Sequence, residues 1–459
     1  MSRHNAVAEL GDQLPAGAVL VDPDRLASYR NDRAEGAPAG TPLAVVFPRS
    51  TQEVSKILSI CHRERVPVVP RGAGSGLAGG ANAIDGAIVL CLEKMAQIIQ
   101  ISEADATAYV EPGVLNEELR TAVRAHGLWY APDPASREFC SIGGNVATNA
   151  GGLCCVKYGT TRENVLGLEV VLADGRVMRV GRRSLKGVAG YDLMNLLIGS
   201  EGTLGVVTGI RTRLRPLPPQ AMTVVGVFAD VVAAGRAVQE ILGVTTPSLL
   251  ELLDSTTVAA VEDLYAMGLD RTATLLIAQS DLPAPAAAAE VAAMGEMFER
   301  AGAHEVYVAE DAEQADALLA ARRNAIFALE AQGRWLLDDI AVPRSALAEA
   351  IQRIESVAAR HDVTIATFGH AGDGNLHPTI VFPHNDAEAE ARAHAAFHDV
   401  IDVALAVGGT VTGEHGVGLL KAHALGLELD PAAVSLHAAI KHAFDPVGIL
   451  NPGKALPLS

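Results

Sequence analysis

The stretch Arg71–Gly86, RGAGSGLAGGANAIDG, does most to limit what this chain can fold into. It follows the extended run VPVVP, precedes the apolar run AIVL, and contains Gly74-x-Gly76-x-x-Gly79. That spacing is a formal match to the glycine fingerprint of a Rossmann unit, with Glu93 near the position of the ribose acid. The match fails on length. A helix would have to open at the third glycine, yet seven residues separate Gly79 from the next strand at Ala87, and a helical crossover takes about ten or more. The loop is glycine-rich for another reason, namely backbone that must be approached closely. A second stretch of the same kind, Ser141–Gly152, follows. Forty-four glycines in 459 residues exceed the usual ~7% without any collagen period. Two such loops offer unshielded N–H groups suited to a pyrophosphate, and Arg71 adds one positive charge. Ordinary glycine turns are the plain alternative.

Charge narrows the partners. Thirty-six Lys and Arg against 54 Asp and Glu leave a formal charge of −18, opposite in sign to a nucleic-acid or anionic-membrane binder. No run of about 18 apolar residues is present, because Asp230 interrupts the best candidate at Val224–Val232. Met1–Leu20 carries acids and no continuous apolar segment, so it reads as neither signal nor transit peptide. Cys61, Cys91, Cys140, Cys154 and Cys155 include no Cys-x-x-Cys and are too few for a disulfide framework. A reducing, cytoplasmic setting is expected, peripheral to the inner membrane only through an electron-acceptor partner.

The length suggests about three domains or two large ones. AVVF predicts a strand, and Ser50-Thr51-Gln52-Glu53 a capping box for a helix carrying Val54, Ile57, Leu58 and Cys61 on one face. A helix is expected over Asn116–His126 with Gly127 as its stop, and a hairpin turns at Asp174-Gly175. Pro216-Leu217-Pro218-Pro219 marks a boundary near residue 218. Beyond it, strand–helix–strand passages predict an antiparallel sheet backed by helices, an α+β plan.

The second half holds the candidate chemistry. TIATFGHAGDGNLHPTIVF reads as two period-two strands joined at Gly372-Asp373-Gly374-Asn375, with His370 closing one and His377 opening the other, so that the imidazoles can face each other. Pro378 cannot donate to a ladder, which predicts an edge or a splayed strand end. Glu414-His415 sits in the glycine-bracketed turn GGTVTGEHGVG. Two His and a carboxylate with an open position form the ligand set of a catalytic zinc site, and equally suit manganese or iron. Spacing alone leaves open hydrogen-bonded strand ends and a turn acid. A substrate anion would need a fixed cation of bidentate geometry. Helix LLAARRNAIFALE supplies Arg322 and Arg323, and Lys421 is a further candidate.

The ordered motifs PVVPRGAGSGLAGGA, GLWYAPDPASREFCSIGGNVATNAGG, KYG, GYDLMNLLIGSEGTLGVVT, FGHAGDGNLHP, GEHGVG and NPGK resemble the FAD-linked D-2-hydroxy-acid dehydrogenases. That group includes glycolate oxidase flavoprotein subunits and D-lactate dehydrogenases, within the vanillyl-alcohol oxidase type of flavoprotein. The likeness covers about residues 40 to 455. It implies a two-part FAD-binding domain over residues 1–218 (core about 40–218) and a C-terminal antiparallel-sheet cap domain over 219–459, whose tail returns to the FAD domain. By this resemblance Arg71, Gly72, Ala73, Gly74, Ser75, Gly76 and Leu77 wrap the pyrophosphate. Pro132, Asp133, Ser136, Gly143, Gly144, Ala147, Thr148, Gly151, Tyr158, Gly159, Glu201, Gly205, Val207 and Asn451 line the cofactor. Ser75 stands where related flavoproteins carry a tethering His, which implies noncovalent FAD. The same likeness assigns a divalent metal to His370, His377 and Glu414, the base to His415 and the carboxylate clamp to Arg322.

The chain departs from the 2-hydroxyglutarate enzymes of this group. Leu337, two residues before Asp339, replaces their Lys; Ile326 replaces a Thr; Thr379 replaces an Asn. These changes favour a short acid, D-lactate or glycolate, oxidised to the 2-keto acid. The implied electron acceptor is a quinone, a cytochrome, an electron-transfer flavoprotein or an iron–sulfur subunit, with a homodimer left open. Two rival readings are a flavoprotein subunit that turns over only with partner subunits and a non-redox FAD transferase of the same fold. A binding module without catalysis fits poorly with clamp, base and metal residues occurring together.

Overall fold

The computed structural model describes residues 3–456; Met1 and Ser2, at the head of the stretch read for a leader, lie outside the described residues. The chain divides into two compact units. Unit 1 comprises the residues up to Gly151, Thr160–Leu217 and the chain from Glu414 onward; unit 2 comprises Gly152–Gly159 and Pro218–Gly413. No helix of the described residues is long and apolar enough to cross a membrane.

After the opening helix Arg3–Gln13, unit 1 contains β1 (Val19–Leu20), β2 (Ala44–Val46), β3 (Val68–Arg71) and β4 (Ile88–Cys91), in the sheet order β1-β2-β4-β3. β4 runs parallel to β2 and to β3. Helix Thr51–Glu64 links β2 to β3 and buries Val54, Ile57, Leu58 and Cys61, the face its spacing predicts. Its cap closes one residue earlier than the usual box. Ser50 Oγ accepts the Glu53 N–H, while the Glu53 carboxylate accepts the N–H of Arg49 at 2.7 Å rather than that of Ser50. Between Arg71 and Ile88 the chain forms no helix, which removes the Rossmann reading.

The second part of unit 1 contains β5 (Ile98–Ser102), β6 (Thr107–Val110), β7 (Leu128–Trp129), β8 (Val165–Val171), β9 (Val177–Gly181), β10 (Val206–Arg213) and β11 (Arg215–Pro216). An antiparallel sheet runs β5-β6-β10-β8-β9, and β7 pairs with β11. The β8–β9 hairpin turns at Asp174-Gly175 as predicted, inside a loop closed by Leu172 N–H to Arg176 O at 2.9 Å. The helix expected over Asn116–His126 ends at Arg124.

Unit 2 is an eight-stranded sheet: β12 (Met222–Phe228), β13 (Leu249–Leu253), β14 (Thr274–Ser280), β15 (Glu305–Val308), β16 (Arg334–Leu337), β17 (Ile340–Ala341), β18 (Thr364–His370) and β19 (Asn375–Phe382). Its order is β15-β12-β14-β13-β18-β19-β16, with β17 also on β19, and every pairing is antiparallel. Helices Ser255–Tyr265 and Ala312–Glu330 cover the face bearing Leu249, Leu253, Ala366 and Phe368. The opposite face takes helix Ala286–Ala301, whose Phe298 packs against Gly226, and the neighbouring helices Val231–Val244, Leu347–His361 and Ala387–Ala406. This is the expected helix-backed antiparallel sheet.

Two expectations are corrected. β19 is an interior strand, not an edge, with β18 on one side and β16 and β17 on the other. Pro378 fits there because it lies between the last residue paired with β16, Thr379, and the first paired with β17, Leu376. At that break its missing N–H interrupts nothing, and its carbonyl accepts from Asp338 N–H at 2.8 Å. Tyr158 and Gly159, expected in the glycine-rich half, belong to unit 2. Lys157 and the Tyr158 hydroxyl both bond the Asp281 carboxylate, and Val156 packs on Gly372.

Candidate active site

The glycine loops of unit 1 are built against each other. A Cβ on Gly72 would lie 2.5 Å from Ser141 Oγ, and that oxygen accepts the Gly144 N–H to cap helix Ile142–Thr148. Gly74 has φ +72°, and a Cβ there would lie 2.1 Å from Arg71 Nη2. The guanidinium of Arg71 is thus folded over its own loop, with Cζ 5.9 Å from the Tyr29 ring centroid. Among the described residues its Nη1 is buried without a hydrogen-bond partner, as is Oδ1 of Asn451. Buried orphan donors and acceptors beside unshielded backbone call for a polar ligand. The donor set fits the pyrophosphate of FAD.

Other residues expected along the cofactor have identifiable tasks within unit 1. Pro132 O accepts from Asn116 Nδ2, Ser136 O from Phe139 and Cys140 N–H, and Ala147 O from Glu201 N–H. Gly143 N–H donates to Pro112 O, and Thr148 Oγ1 donates to Gly144 O. Gly205 lies against Val170, with which Val207 is paired. Asp133 and Gly151 are buried. The Glu201 carboxylate accepts Val417 and Gly418 N–H at 2.7 and 2.9 Å, so it holds the turn after His415. Burial pushes its pKa up to about 7. Lys454 donates to Gly80 O and Asn82 O, and burial lowers its pKa to about 8. Asn451 Nδ2 donates to Gly80 O and Glu201 O.

In unit 2 the period of the strands assembles a polar floor inside an apolar layer. His370 on β18 faces Glu251 on β13 in register, and His377 on β19 faces Phe368 on β18. The two imidazoles meet edge to face, with centroids 5.2 Å apart and planes at 89°. Glu251, fully buried, divides its carboxylate: Oε1 lies 2.6 Å from His370 Nδ1 and Oε2 accepts Arg322 Nε–H at 2.6 Å. Arg322, only 7% exposed, reaches down from helix Ala312–Glu330 with Cζ 4.8 Å from the Phe368 centroid. Among the described residues its Nη groups have no hydrogen-bond partner. Arg323 points outward, half exposed, and bonds Asp316. Ile326, one turn beyond Arg322, and Leu337 pack into the apolar cluster, while Thr379 is buried and bonds His377 O.

Asp339 fastens the next turn. Its Oδ1 accepts from Asn375 Nδ2 at 2.7 Å, and its Oδ2 accepts from Thr412 Oγ1 at 2.7 Å and Gly413 N–H at 2.9 Å. Glu414 and His415 follow Gly413 directly. Within unit 2 the His370 and His377 imidazoles stand side by side, and Asp339 Oδ1 lies 3.8 Å from His377 Nδ1. Two His nitrogens and a carboxylate suit a divalent cation.

Sequence reasoning missed Glu251 and used Asp339 only as a landmark. Each left a signal: an acid in the middle of the apolar run LLELL, and the doubled acid Asp338-Asp339 before IAV. A charge in a buried strand persists only if it is paired.

Two family models match the chain: "FAD binding domain" over residues 42–181 and "FAD linked oxidases, C-terminal domain" over residues 217–455. The glycolate oxidase subunit GlcD of Bacillus subtilis is 42% identical over 90% of this chain and 88% of its own length. A D-lactate dehydrogenase of Anaerostipes hadrus is 34% identical over 95% of this chain and 94% of its own. The solved structure of p-cresol methylhydroxylase with substrate bound shares the fold, with a TM-score of 0.81 at 19% identity, covering 98% of this chain and 96% of that one. With glycine loops that fit the dinucleotide and a helix-backed antiparallel sheet carrying the histidines, this chain belongs to the FAD-linked oxidases, as an FAD-dependent oxidoreductase of the glycolate oxidase and D-lactate dehydrogenase group.

Proposed function

We propose that the protein oxidises the C2 hydroxyl of a short D-2-hydroxy acid, D-lactate or glycolate, to the 2-keto acid. The observation that carries this reading is Arg322. A buried guanidinium tied through Nε to Glu251 keeps its end-on pair of N–H groups for a carboxylate, one Glu side chain away from His370. The flavin, when bound noncovalently, supplies a two-electron acceptor for the C2 hydrogen, and a divalent metal, zinc or else manganese or iron, supplies a Lewis acid toward the hydroxyl oxygen. Arg322 grips the C1 carboxylate and sets which face of C2 is presented. His370, His377 and Glu414 would hold the metal. His415 takes the hydroxyl proton on a ring nitrogen, so that proton and hydride leave by separate routes. The apolar Ile326 and Leu337 leave no cation for a second carboxylate, which supports a short acid over 2-hydroxyglutarate.

Arg71, Gly72, Gly74 and Asn451 would hold the dinucleotide, and Ser75 offers no imidazole for a covalent tether. The reduced cofactor must pass its electrons on. The name of the Bacillus relative, a subunit, supports an acceptor chain within a multisubunit oxidase.

The test is anaerobic bleaching of the flavin by the D and L forms of lactate, 2-hydroxybutyrate, malate and 2-hydroxyglutarate and by glycolate, with and without chelator. Bleaching by D-lactate or glycolate that chelation abolishes is the expected result. Bound FAD that none of these acids bleaches would point to a partner-dependent subunit or a non-redox transferase.

A further inference from the structure

The centre of β13 poses a problem that the proposed mechanism does not use. Glu251 stands among four leucines, fully buried, with one N–H donor on each carboxylate oxygen. A buried carboxylate is retained only where its partners are placed with precision, and here the partners are the first metal histidine and the substrate clamp. We infer that Glu251 is a shared positioning residue that aims both His370 and Arg322.

The geometry of each contact gives the reason. Glu251 lies directly across from His370 in the β13–β18 register, so its Oε1 meets Nδ1, the nitrogen nearer the backbone. The proton therefore sits on Nδ1, and the Nε2 lone pair is turned away from Glu251 as the ligand atom. At Arg322 the carboxylate takes Nε–H and not the end-on pair. A bond at Nε, with the guanidinium over the Phe368 ring at 4.8 Å, fixes the plane of the fork and leaves its open side for an incoming carboxylate. The charge of Arg322 is already matched by Glu251, so recognition of the substrate anion depends on where the fork points. One carboxylate thus places two functional groups that arrive from different elements, and loosening it loosens both.

This inference rests on the proposed metal and clamp roles, and its test separates the two failures. In the FAD-loaded full chain, manganese affinity is read by the EPR signal of the free ion, and oxalate affinity by the shift of the flavin absorption band. Glu251→Gln keeps size and one acceptor oxygen but turns an NH₂ toward the other donor. Manganese binding should weaken by about 10- to 100-fold and oxalate binding by about tenfold or more, with FAD content unchanged. A purely structural ion pair would lower the melting temperature and leave both affinities alone, and that outcome overturns the inference. Should Glu251→Gln fail to fold, Glu251→Asp reads the same quantities: it keeps the charge but is too short to meet both donors, so at least one affinity must fall, and two parental affinities overturn the proposal. If the parent itself binds no manganese, the metal reading fails and this inference with it. If the parent binds manganese and both variants match it, only the role of Glu251 is lost.

Discussion

The glycine loops of unit 1 and the polar floor of unit 2 hold their groups by opposite means. Around Gly72 and Gly74 the surface is backbone, and what matters is the side chain that is missing: a methyl group would strike Ser141 or Arg71. On the β13–β18–β19 face the surface is side chains, the histidines placed by strand register and the key groups fixed by carboxylates: Glu251 for His370 and for Arg322 from the covering helix, Asp339 for the turn before Glu414. The first region should be sensitive to added volume and the second to lost charge or lost hydrogen-bonding capacity. Substitutions can therefore be chosen to damage one and spare the other.

The largest effect expected is from His415→Ala. Removing a positioned base typically costs 10²- to 10⁴-fold, so flavin bleaching by D-lactate in stopped flow should slow by that range. The purified variant should carry its full complement of FAD. Bleaching at the parental rate would remove His415 from the base role.

Gly74→Ala is the converse. At φ +72° a Cβ costs about 1 kcal/mol, and the clash with Arg71 Nη2 would displace the one guanidinium in the loop. FAD affinity should fall about tenfold or more, measured by equilibrium dialysis of reconstituted protein, while manganese binding stays within about twofold of the parent. Parental FAD affinity would mean that Arg71 and its loop do not touch the cofactor.

The two regions were not equally legible. The hairpin Thr364–Phe382 was readable because alternation places His370 and His377 on one face whatever the surroundings. The caps at Ser50 and the turn at Asp174-Gly175 are likewise local. Glu251 was not read as functional, because its meaning depends on a pairing between β13 and β18 that are more than a hundred residues apart. Pro378 misled for the same reason. A proline forbids a ladder bond at one point, but only the break between β16 and β17 shows that no bond was due there. The placement of Gly152–Gly159 in unit 2 depends on Asp281 and Gly372, which no local pattern announces.

A smaller effect separates the regions by pH. Burial raises Glu201 to about 7, above the ~4.5 of an exposed glutamate. Between those values the folded chain holds a proton that the unfolded chain has released. This group's contribution to stability is therefore complete below about pH 4.5 and lost as pH rises through 7. The upper limit is on the order of 3 kcal/mol, a few degrees of melting temperature. Calorimetric melting of the parent should show that decline between pH 5 and 8, and Glu201→Gln should flatten it. An unchanged slope in the variant would assign the pH dependence elsewhere. Asp254 of unit 2 is the next candidate, because burial brings it to about 6.

The smallest effect is expected one residue from one of the largest. Arg322 and Arg323 are adjacent, identical in type and on the same helix, and their spacing alone gives no ground to separate them. The helix turns about 100° per residue, which sends Arg322 into the layer against Phe368 and Glu251 and leaves Arg323 outside, bonded to Asp316 on its own helix. An exposed ion pair of that kind contributes about 0–1 kcal/mol. Arg323→Ala should leave the kcat/KM for D-lactate within about twofold and oxalate affinity unchanged, whereas Arg322→Ala should abolish oxalate binding. Equal losses in both variants would mean that the guanidinium matters to substrates as part of a diffuse positive field. A loss confined to Arg322 would locate recognition in the anchored fork, where the floor's dependence on individual side chains is most exposed to test.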